Sequence, residues 1–302
     1  MAKKRKEKER EVIAAYPNRR PYGAKFVFLL EKHTDFNIDG ECIFLVSPEV
    51  HLRIKPKESV HDNGSGWEIF VEGFSTAGEA EQIGLKVVLG FLWSAIQGHY
   101  SARLLYHTPL PCVVYNRTQS QRKATSSLMT FSTSRGINNI FEPLDIVVSS
   151  NKAVDPRLLV ALEIFASARL ETTERARFVG IVSAIEPIAI QETYEDEKLN
   201  TLLSEFKQLL ENSGVEQSLK SSVRGRIEQL KLESVSRAIR RLVKDTLPDD
   251  PDAKDIIEES YGLRSKILHE GLTDADLQEK SREAEETIRK ILEVKILQYA
   301  KN

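Results

Sequence analysis

Short aromatic and β-branched runs, separated by glycine, proline and asparagine, occupy the first half of the chain. Runs of this length, bounded by turn residues, are typical of β-strands. They predict strands over residues 25–30, 41–46, 67–71 and 111–115, and a last strand over residues 142–148. The stretch over residues 116–140 is rich in Ser, Thr, Asn and Arg, which predicts a loop.

One helix is predicted among these strands. Thr76 and Glu79 have the spacing of a capping box, in which the threonine oxygen accepts a hydrogen bond from the amide three residues later. Apolar residues follow at helical spacing from Leu85, and the helix is expected to end near Gly98. Residues 17–150 are therefore predicted to form an α+β domain.

The second half of the chain has a helical period. Asp155 and Pro156 have the pattern of an N-cap followed by proline at the first helical position. After this first helix, others are predicted over residues 173–190, 195–212, 215–232, 234–246 and 252–270, and from residue 273 to the C-terminus. We expect Pro187 to kink or end its helix, and Gly271 to stop the helix before it. Residues 151–302 are therefore predicted to form an all-helical bundle.

The composition narrows the class of protein further. Of the 302 residues, 41% are hydrophobic and 29% are charged, and the formal net charge is −2, which is typical of a folded globular chain. There is no run of 18 apolar residues, no secretory signal pattern and no disulfide framework, so a cytoplasmic protein without a membrane segment is expected. Residues 1–16, which are rich in Lys and Arg, are predicted to be a disordered tail, and an arm that touches nucleic acid is the alternative.

The candidate catalytic residues lie on the predicted helix over residues 252–270. Signatures of zinc hydrolases, P-loop proteins and α/β-hydrolases are absent, and His269 is the only histidine of the helical half. Arg264 falls in the middle of the apolar face of this helix, where a guanidinium is costly unless an anion meets it. An arginine that holds a phosphate and a histidine that moves a proton suffice for phosphodiester cleavage without a metal. No metal or cofactor is therefore predicted.

These residues resemble a known motif. In Arg264-Ser-Lys-Ile-Leu-His269, four residues separate the arginine from the histidine, and this pattern resembles the motif of the HEPN superfamily of helical-bundle ribonucleases. Tyr261, Ser265 and the Glu-Gly pair after His269 resemble the Apea-like HEPN family in particular. The resemblance covers residues 155–300 only.

Further residues are candidates for the same site. Glu186 flanks the apolar stripe of its own helix, so it is expected to meet Arg264 as an ion-pair partner, as a member of the site, or as both. Glu163 is the second choice for this partner. Ser265 and Tyr261 are further candidate site residues.

A second cluster of charge lies on the predicted helix over residues 234–246. Arg237, Arg240, Arg241 and Lys244 are spaced i, i+3, i+4, i+7, which places four positive charges on one face. A solvated surface is one interpretation of this basic ridge. A surface that binds the phosphates of RNA is the other.

The resemblance implies a metal-independent endoribonuclease that acts on RNA, with a role in antiphage defence or toxin-type growth arrest. Arg264 and His269 lie about 140° apart around an ideal helix, so a homodimer with a composite active site is predicted. The α+β domain is then a candidate sensor of a phage or regulatory trigger. The alternative is a non-catalytic module that dimerises or binds RNA without cleaving it.

Overall fold

In the computed structural model of the chain, the predicted tail over residues 1–16 and most of the predicted loop over residues 116–140 lie outside the described residues. The structure describes residues 20–31, 35–36, 42–45, 51–57, 66–118, 136–137, 141–271 and 275–301.

An antiparallel sheet dominates the first half of the described chain. Its strand order is β3-β4-β5-β1-β6, and β7 also pairs with β1, alongside the half of β1 that β6 does not cover. A short parallel pair, β2 with β8, lies apart from it. The strands are β1 (Tyr22–Leu30), β2 (Asp35–Phe36), β3 (Cys42–Leu45), β4 (His51–Pro56), β5 (Gly66–Phe74), β6 (Ala102–Leu104), β7 (Val113–Asn116) and β8 (Gly136–Ile137).

The predicted strands over residues 25–30, 41–46, 67–71 and 111–115 are all present, with bounds that shift by a few residues. The structure adds β4 and β6 to the main sheet. In β4, Leu52 and Ile54 are buried, whereas Arg53 and Lys55 lie on the opposite face of the sheet and are only partly buried. This alternation is the period-2 pattern of a strand with one face on the core.

A long helix, α1 (Ala77–Gln97), packs on the inner face of the sheet. Its N-terminus has the predicted capping box, because the Glu79 amide donates to Thr76 Oγ1 at 3.1 Å and the Glu79 carboxylate accepts from the Ser75 amide at 3.1 Å. Every residue from Gly84 to Ile96 is buried. A helix buried on all sides is the centre of a core, with the sheet on one side and other helices around it.

The predicted strand over residues 142–148 is wrong, because this segment forms the helix α2 (Phe141–Val148). The β-branched run that ends at Val148 favours a strand, but Pro143 is tolerated in the first turn of a helix. Leu144 and Val147, three residues apart, are buried on one helical face. α2 packs closely on α1 at Gly90, where a Cβ atom would lie 3.0 Å from Leu144 Cα. Tertiary packing therefore overrides the strand propensity.

The rest of the described chain is helical, as predicted. The Asp155 carboxylate caps its helix by accepting from the Arg157 amide at 2.8 Å, and the predicted helix over residues 173–190 ends before Pro187, which lies in a 3₁₀ turn (Glu186–Ile188). The helices are α3 (Pro156–Ala168), α4 (Glu174–Ser183), α5 (Glu197–Glu211), α6 (Gln217–Gln229), α7 (Val235–Thr246), α8 (Ala253–Glu270) and α9 (Leu277–Lys301).

The chain is an α+β region followed by an all-helical region, which confirms the predicted fold class. One cluster of buried apolar side chains runs through both regions, from Phe28 of the sheet through Leu89 of α1 to Phe178 of α4 and Ile291 of α9. The helices around the candidate site are therefore fixed against the same core as the sheet. None of the described helices is long and apolar enough to cross a membrane.

Candidate functional site

Arg264 lies on α8 at the edge of the core, with 18% of its side chain exposed. Its Nη1 atom lies 3.0 Å from Glu186 Oε1, and its Nη2 donates to Glu186 Oε2 at 3.3 Å. Its Nε donates to Ser183 Oγ at 3.2 Å. The expected contact between Arg264 and Glu186 is present, and the carboxylate and the hydroxyl fix the guanidinium in one orientation.

Tyr261 belongs to the same cluster. Its hydroxyl donates to Glu186 Oε1 at 2.9 Å, and the Arg264 guanidinium carbon lies 5.6 Å from the centre of its ring. Partial burial, and then the hydrogen bond to the Glu186 carboxylate, raise the pKa of Tyr261. Tyr261 thus remains a neutral donor that helps to position the carboxylate holding Arg264.

The end of α4 explains why these groups meet. The helix stops at Ser183, and Pro187 enters the following 3₁₀ turn, so that Ser183 and Glu186 both point from this corner toward α8. Glu163, the second choice for the partner of Arg264, instead accepts a hydrogen bond from the Tyr106 hydroxyl at 3.1 Å. The partner of Arg264 is therefore Glu186, which the turn after α4 places against α8.

His269 lies in the last turn of α8 and is exposed, with no hydrogen-bond partner among the described residues. The helix continues through Glu270 and ends at Gly271, which has a left-handed φ of 75° and donates to the Ile267 carbonyl at 3.1 Å. Because α8 does not unwind between the two residues, Arg264 and His269 remain about 140° apart around it. One copy of this helix does not aim both side chains at one point.

The surface of α8 between Arg264 and His269 is open. Ser265 lies between them around the helix and is half-buried, and it makes no side-chain hydrogen bond within the described chain. Leu268 is one turn beyond Arg264 and is 51% exposed. An exposed leucine between two polar candidates marks a strip of α8 that no described element of the same chain covers.

The predicted basic ridge on α7 is largely paired with carboxylates. Arg241 contacts buried Glu233 at 2.5 Å and Glu192 at 2.6 Å, and Arg237 lies 3.6 Å from Glu233. Arg240 lies 3.5 Å from Glu258 of α8. The fourth member of the ridge, Lys244, has no ion-pair partner in the described part of the chain.

The RNA-binding role of the ridge stays a prediction. Arg237 and Arg240 remain 63% and 49% exposed despite their ion pairs, so their outer N–H groups face solvent. Arg241 is held more tightly, because it also donates to the Ile190 carbonyl at 2.8 Å. The geometry therefore favours Arg237, Arg240 and Lys244 over Arg241 for contact with an external phosphate.

A metal site in a protein needs several ligating side chains close together. Among the described residues, no three or more His, Cys, Asp and Glu side chains lie close enough to hold a metal ion. Cys112 is buried, and burial, followed by the negative charge of Glu81, raises the pKa of its thiol to about 11. A thiol with such a pKa is a poor nucleophile and a poor metal ligand.

A polar cluster that no sequence pattern predicted lies on the outer face of the sheet. Glu72 of β5 is only 5% exposed, and it contacts His51 Nε2 at 2.9 Å and the Tyr115 hydroxyl at 2.5 Å. Arg53 and Arg117 lie 3.6 and 3.7 Å from the same carboxylate. No short motif joins these residues, since the pairing of β4 with β5, of β5 with β1 and of β1 with β7 brings them together.

The Glu72 cluster stabilises the ionised form of a buried carboxylate. Burial alone raises the pKa of Glu72, but the hydrogen bonds from His51 and Tyr115 and the charges of Arg53 and Arg117 outweigh it and lower the pKa to about 2. The ionised carboxylate is therefore strongly preferred in the folded state. Tyr115 reaches Glu72 by crossing over Gly23, where a Cβ atom would lie 2.9 Å from the tyrosine ring.

We expect Glu72 to make folding sensitive to acid. Because its folded pKa is depressed, its contribution is complete above the unfolded pKa and is lost as the pH falls toward about 2. The loss amounts to about 3 kcal/mol of unfolding free energy. Urea unfolding at a series of acidic pH values measures it. Glu72→Gln should remove this pH dependence, whereas Glu68→Gln on the same strand should keep it, and equal slopes in both variants would contradict the assignment.

No protein family model, curated protein or solved structure matches the chain. Function is therefore inferred from the side chains themselves.

Proposed function

We propose that the chain is a metal-independent endoribonuclease of the HEPN type, in which RNA is cleaved by its own 2′-hydroxyl. One observation carries the proposal: an arginine oriented by Glu186, Ser183 and Tyr261 lies on the same helix as an exposed histidine, five residues before it. A fixed guanidinium and an accessible imidazole are the two groups that this chemistry needs.

The roles follow from the chemistry of each side chain. The 2′-oxygen forms a bond to the adjacent phosphorus while the bond to the 5′-oxygen breaks, and His269 takes up or delivers a proton in this exchange. A guanidinium has five N–H groups, and Arg264 makes three contacts within the described chain, so at least two remain to stabilise the charge on the phosphorane. The products are a 2′,3′-cyclic phosphate and a 5′-hydroxyl.

A dimer supplies what one helix lacks. Because Arg264 and His269 point in different directions from α8, a two-fold axis beside this helix would set Arg264 of one copy against His269 of the other. Leu268 supports this arrangement, since its exposed side chain lies between the two residues and would be buried in such an interface. Each dimer would then contain two composite sites.

The ridge on α7 offers a path for the substrate. Arg240 contacts Glu258, and Glu258, Ser265 and His269 lie along one flank of α8 within about 40° of each other. A strand of RNA that follows Arg237, Arg240 and Lys244 would thus approach the flank that carries His269.

One feature favours a second candidate function, a non-catalytic module that dimerises or binds RNA. Glu186 places a carboxylate directly on the Arg264 guanidinium, and this neutralises part of the charge that would attract a phosphate. In such a module the Arg264 cluster would only join α8 to α4. The role of the sheet region as sensor of a phage or regulatory trigger, in defence or growth arrest, is part of the proposal under either function.

Labelled single-stranded RNA incubated with the purified chain in excess EDTA tests the proposal. We expect cleavage that survives chelation and leaves a 2′,3′-cyclic phosphate and a 5′-hydroxyl, because Arg264 and His269 need no metal. A chain with both Arg264→Ala and His269→Ala, purified in parallel, controls for contaminating nucleases. Salt-sensitive RNA binding without cleavage would favour the module instead.

A further inference from the structure

A second polar site lies at the opposite end of α4 from the Arg264 cluster. An open cleft of about 530 Å³ is formed where the C-terminal end of α1, the end of α3, the first turns of α4 and the N-terminal half of α9 meet. Four of the residues that line it are arginines, and we therefore name it the arginine cleft. They are Arg169, Arg177, Arg282 and Arg289.

The arginine cleft has an excess of positive charge. Its four arginines face three glutamates, Glu174, Glu285 and Glu286, which leaves one net positive charge. Glu285 is shared, because it accepts from Arg289 at 2.6 Å and lies 3.8 Å from Arg169. Glu174 contacts Arg177 at 2.9 Å.

Arg282 is the arginine of the cleft that no described glutamate pairs with. It is exposed on α9 and has no ion-pair or hydrogen-bond partner among the described residues. It lines the same cleft as the paired arginines. An anion that entered the cleft would therefore meet one uncompensated guanidinium and the outer faces of three others.

The residues that line the arginine cleft include buried donors without partners. Ser281 lines the cleft and is 5% exposed, yet its Oγ has no hydrogen-bond partner in the described part of the molecule. The Nε atoms of Arg177 and Arg289 are also buried and without a partner. Buried polar atoms are nearly always hydrogen-bonded, because an unpaired one loses the free energy of its lost hydration. Three residues that line one cleft thus carry a buried donor without a partner in the described chain, and small side-chain rotations would turn these donors toward acceptor oxygens in the cleft.

The backbone of the cleft is also unusual. His99 has a left-handed φ of 53°, which is uncommon for a residue other than glycine. Arg169 Nη1 donates to the His99 carbonyl at 2.9 Å, and Arg289 Nη1 lies 3.5 Å from His99 Nε2. The arginines thus hold His99 in a conformation that places it on the cleft wall, and strained backbone of this kind is concentrated at ligand sites.

We propose that the arginine cleft binds a small, hydrophilic ligand that carries a diphosphate or a phosphate ester. Several convergent guanidinium groups match a polyvalent anion with many acceptor oxygens better than a single carboxylate. Apart from the His99 ring, the lining contains no aromatic or aliphatic side chain, so an acyl chain or a nucleobase would gain little apolar contact there. The ligand therefore has a compact, polar body.

Calorimetric titration of the full chain with inorganic pyrophosphate, with ionic strength held constant, tests the site. We expect Arg282→Gln to weaken binding about tenfold, which is the effect of losing one charge-assisted hydrogen bond. Arg226→Gln is the matched control, because Arg226 is an exposed arginine on α6, away from the cleft, and its loss should leave the dissociation constant within about twofold.

A second variant separates binding from folding. Ser281→Ala removes a buried hydroxyl that has no partner, so it should leave the melting temperature unchanged or raised and still weaken pyrophosphate binding. Ribose 5-phosphate and ADP serve as further probes, and ADP should bind no more tightly than pyrophosphate.

Three results with pyrophosphate and ADP, and a fourth with RNA, would overturn the proposal. They are the absence of binding by the wild-type chain at millimolar pyrophosphate, an equal loss of binding in Arg226→Gln, and a preference of tenfold or more for ADP. Binding of an RNA oligonucleotide that depends on Arg282, without binding of pyrophosphate, would make the cleft part of an RNA surface and also overturn it. The readout is binding, so each result is independent of ribonuclease activity.

Discussion

His269→Ala is expected to lower the rate of RNA cleavage by at least about 100-fold, the usual effect of removing a general acid or base. The fold should be unaffected, because His269 is exposed in the last turn of α8 and makes no hydrogen bond within the described chain. Single-turnover cleavage of labelled RNA gives the rate, and thermal unfolding gives the stability of the same preparation.

His107→Ala is the matched control for this experiment. His107 is also an exposed histidine, but it lies in the sheet region, between β6 and β7. Its replacement removes the same side chain without touching α8, so cleavage should continue at the wild-type rate. A His269→Ala chain that cleaves RNA as fast as the wild type would exclude His269 from the chemistry, whatever the role of Arg264.

Local patterns were enough to predict most of the elements. The N-cap at Asp155, the stop at Gly271 and the break at Pro187 are each set by one residue's backbone preferences, so they are visible in the sequence. The strand β4 was missed because its alternating pattern is short, with Leu52 and Ile54 as its only aliphatic residues, and because it lacks an aromatic run. Its place in the sheet depends on pairing with β5, which is not a local property.

Of the three polar sites, only the Arg264 cluster could be predicted from the sequence. Arg264 and Glu186 could be matched from the sequence because Arg264 interrupts an apolar helical face, Glu186 flanks another, and an arginine on such a face requires an anion. Glu72 carries no such signal, since its partners His51 and Tyr115 come from other strands. The arginine cleft was equally invisible, because it forms only where four helices meet.

The ion pairs of the basic ridge on α7 could be predicted from the sequence only in part. The spacing of the basic ridge is correct, and the pairing of Arg237 with Glu233, four residues earlier, is a local contact that the sequence allows. The contact of Arg241 with Glu192 joins residues far apart in the chain and could not be foreseen. A run of like charges on one helix face therefore predicts a surface, whereas its tertiary partners decide how much charge is left for RNA.

Mixed dimers should show whether each site takes its two residues from different chains. In a dimer of one Arg264→Ala chain and one His269→Ala chain, one composite site retains an intact arginine and histidine, and the other has lost both. Purified separately, each variant is inactive. Random mixing makes half of the dimers mixed with one working site each, so about a quarter of the wild-type activity should return.

The reciprocal mixture separates a composite site from a site within one chain. A dimer of a wild-type chain and a chain with both substitutions contains no intact composite site, but it retains one complete pair within the wild-type chain. Composite sites therefore predict activity in the first mixture and none from mixed dimers in the second, and sites within single chains predict the reverse. Two different affinity tags isolate the mixed dimers for this comparison. A chain that light scattering finds monomeric at micromolar concentration, with no recovery in the first mixture, would contradict the shared site, because the 140° between Arg264 and His269 on an unbroken α8 would then have no second copy to bridge it.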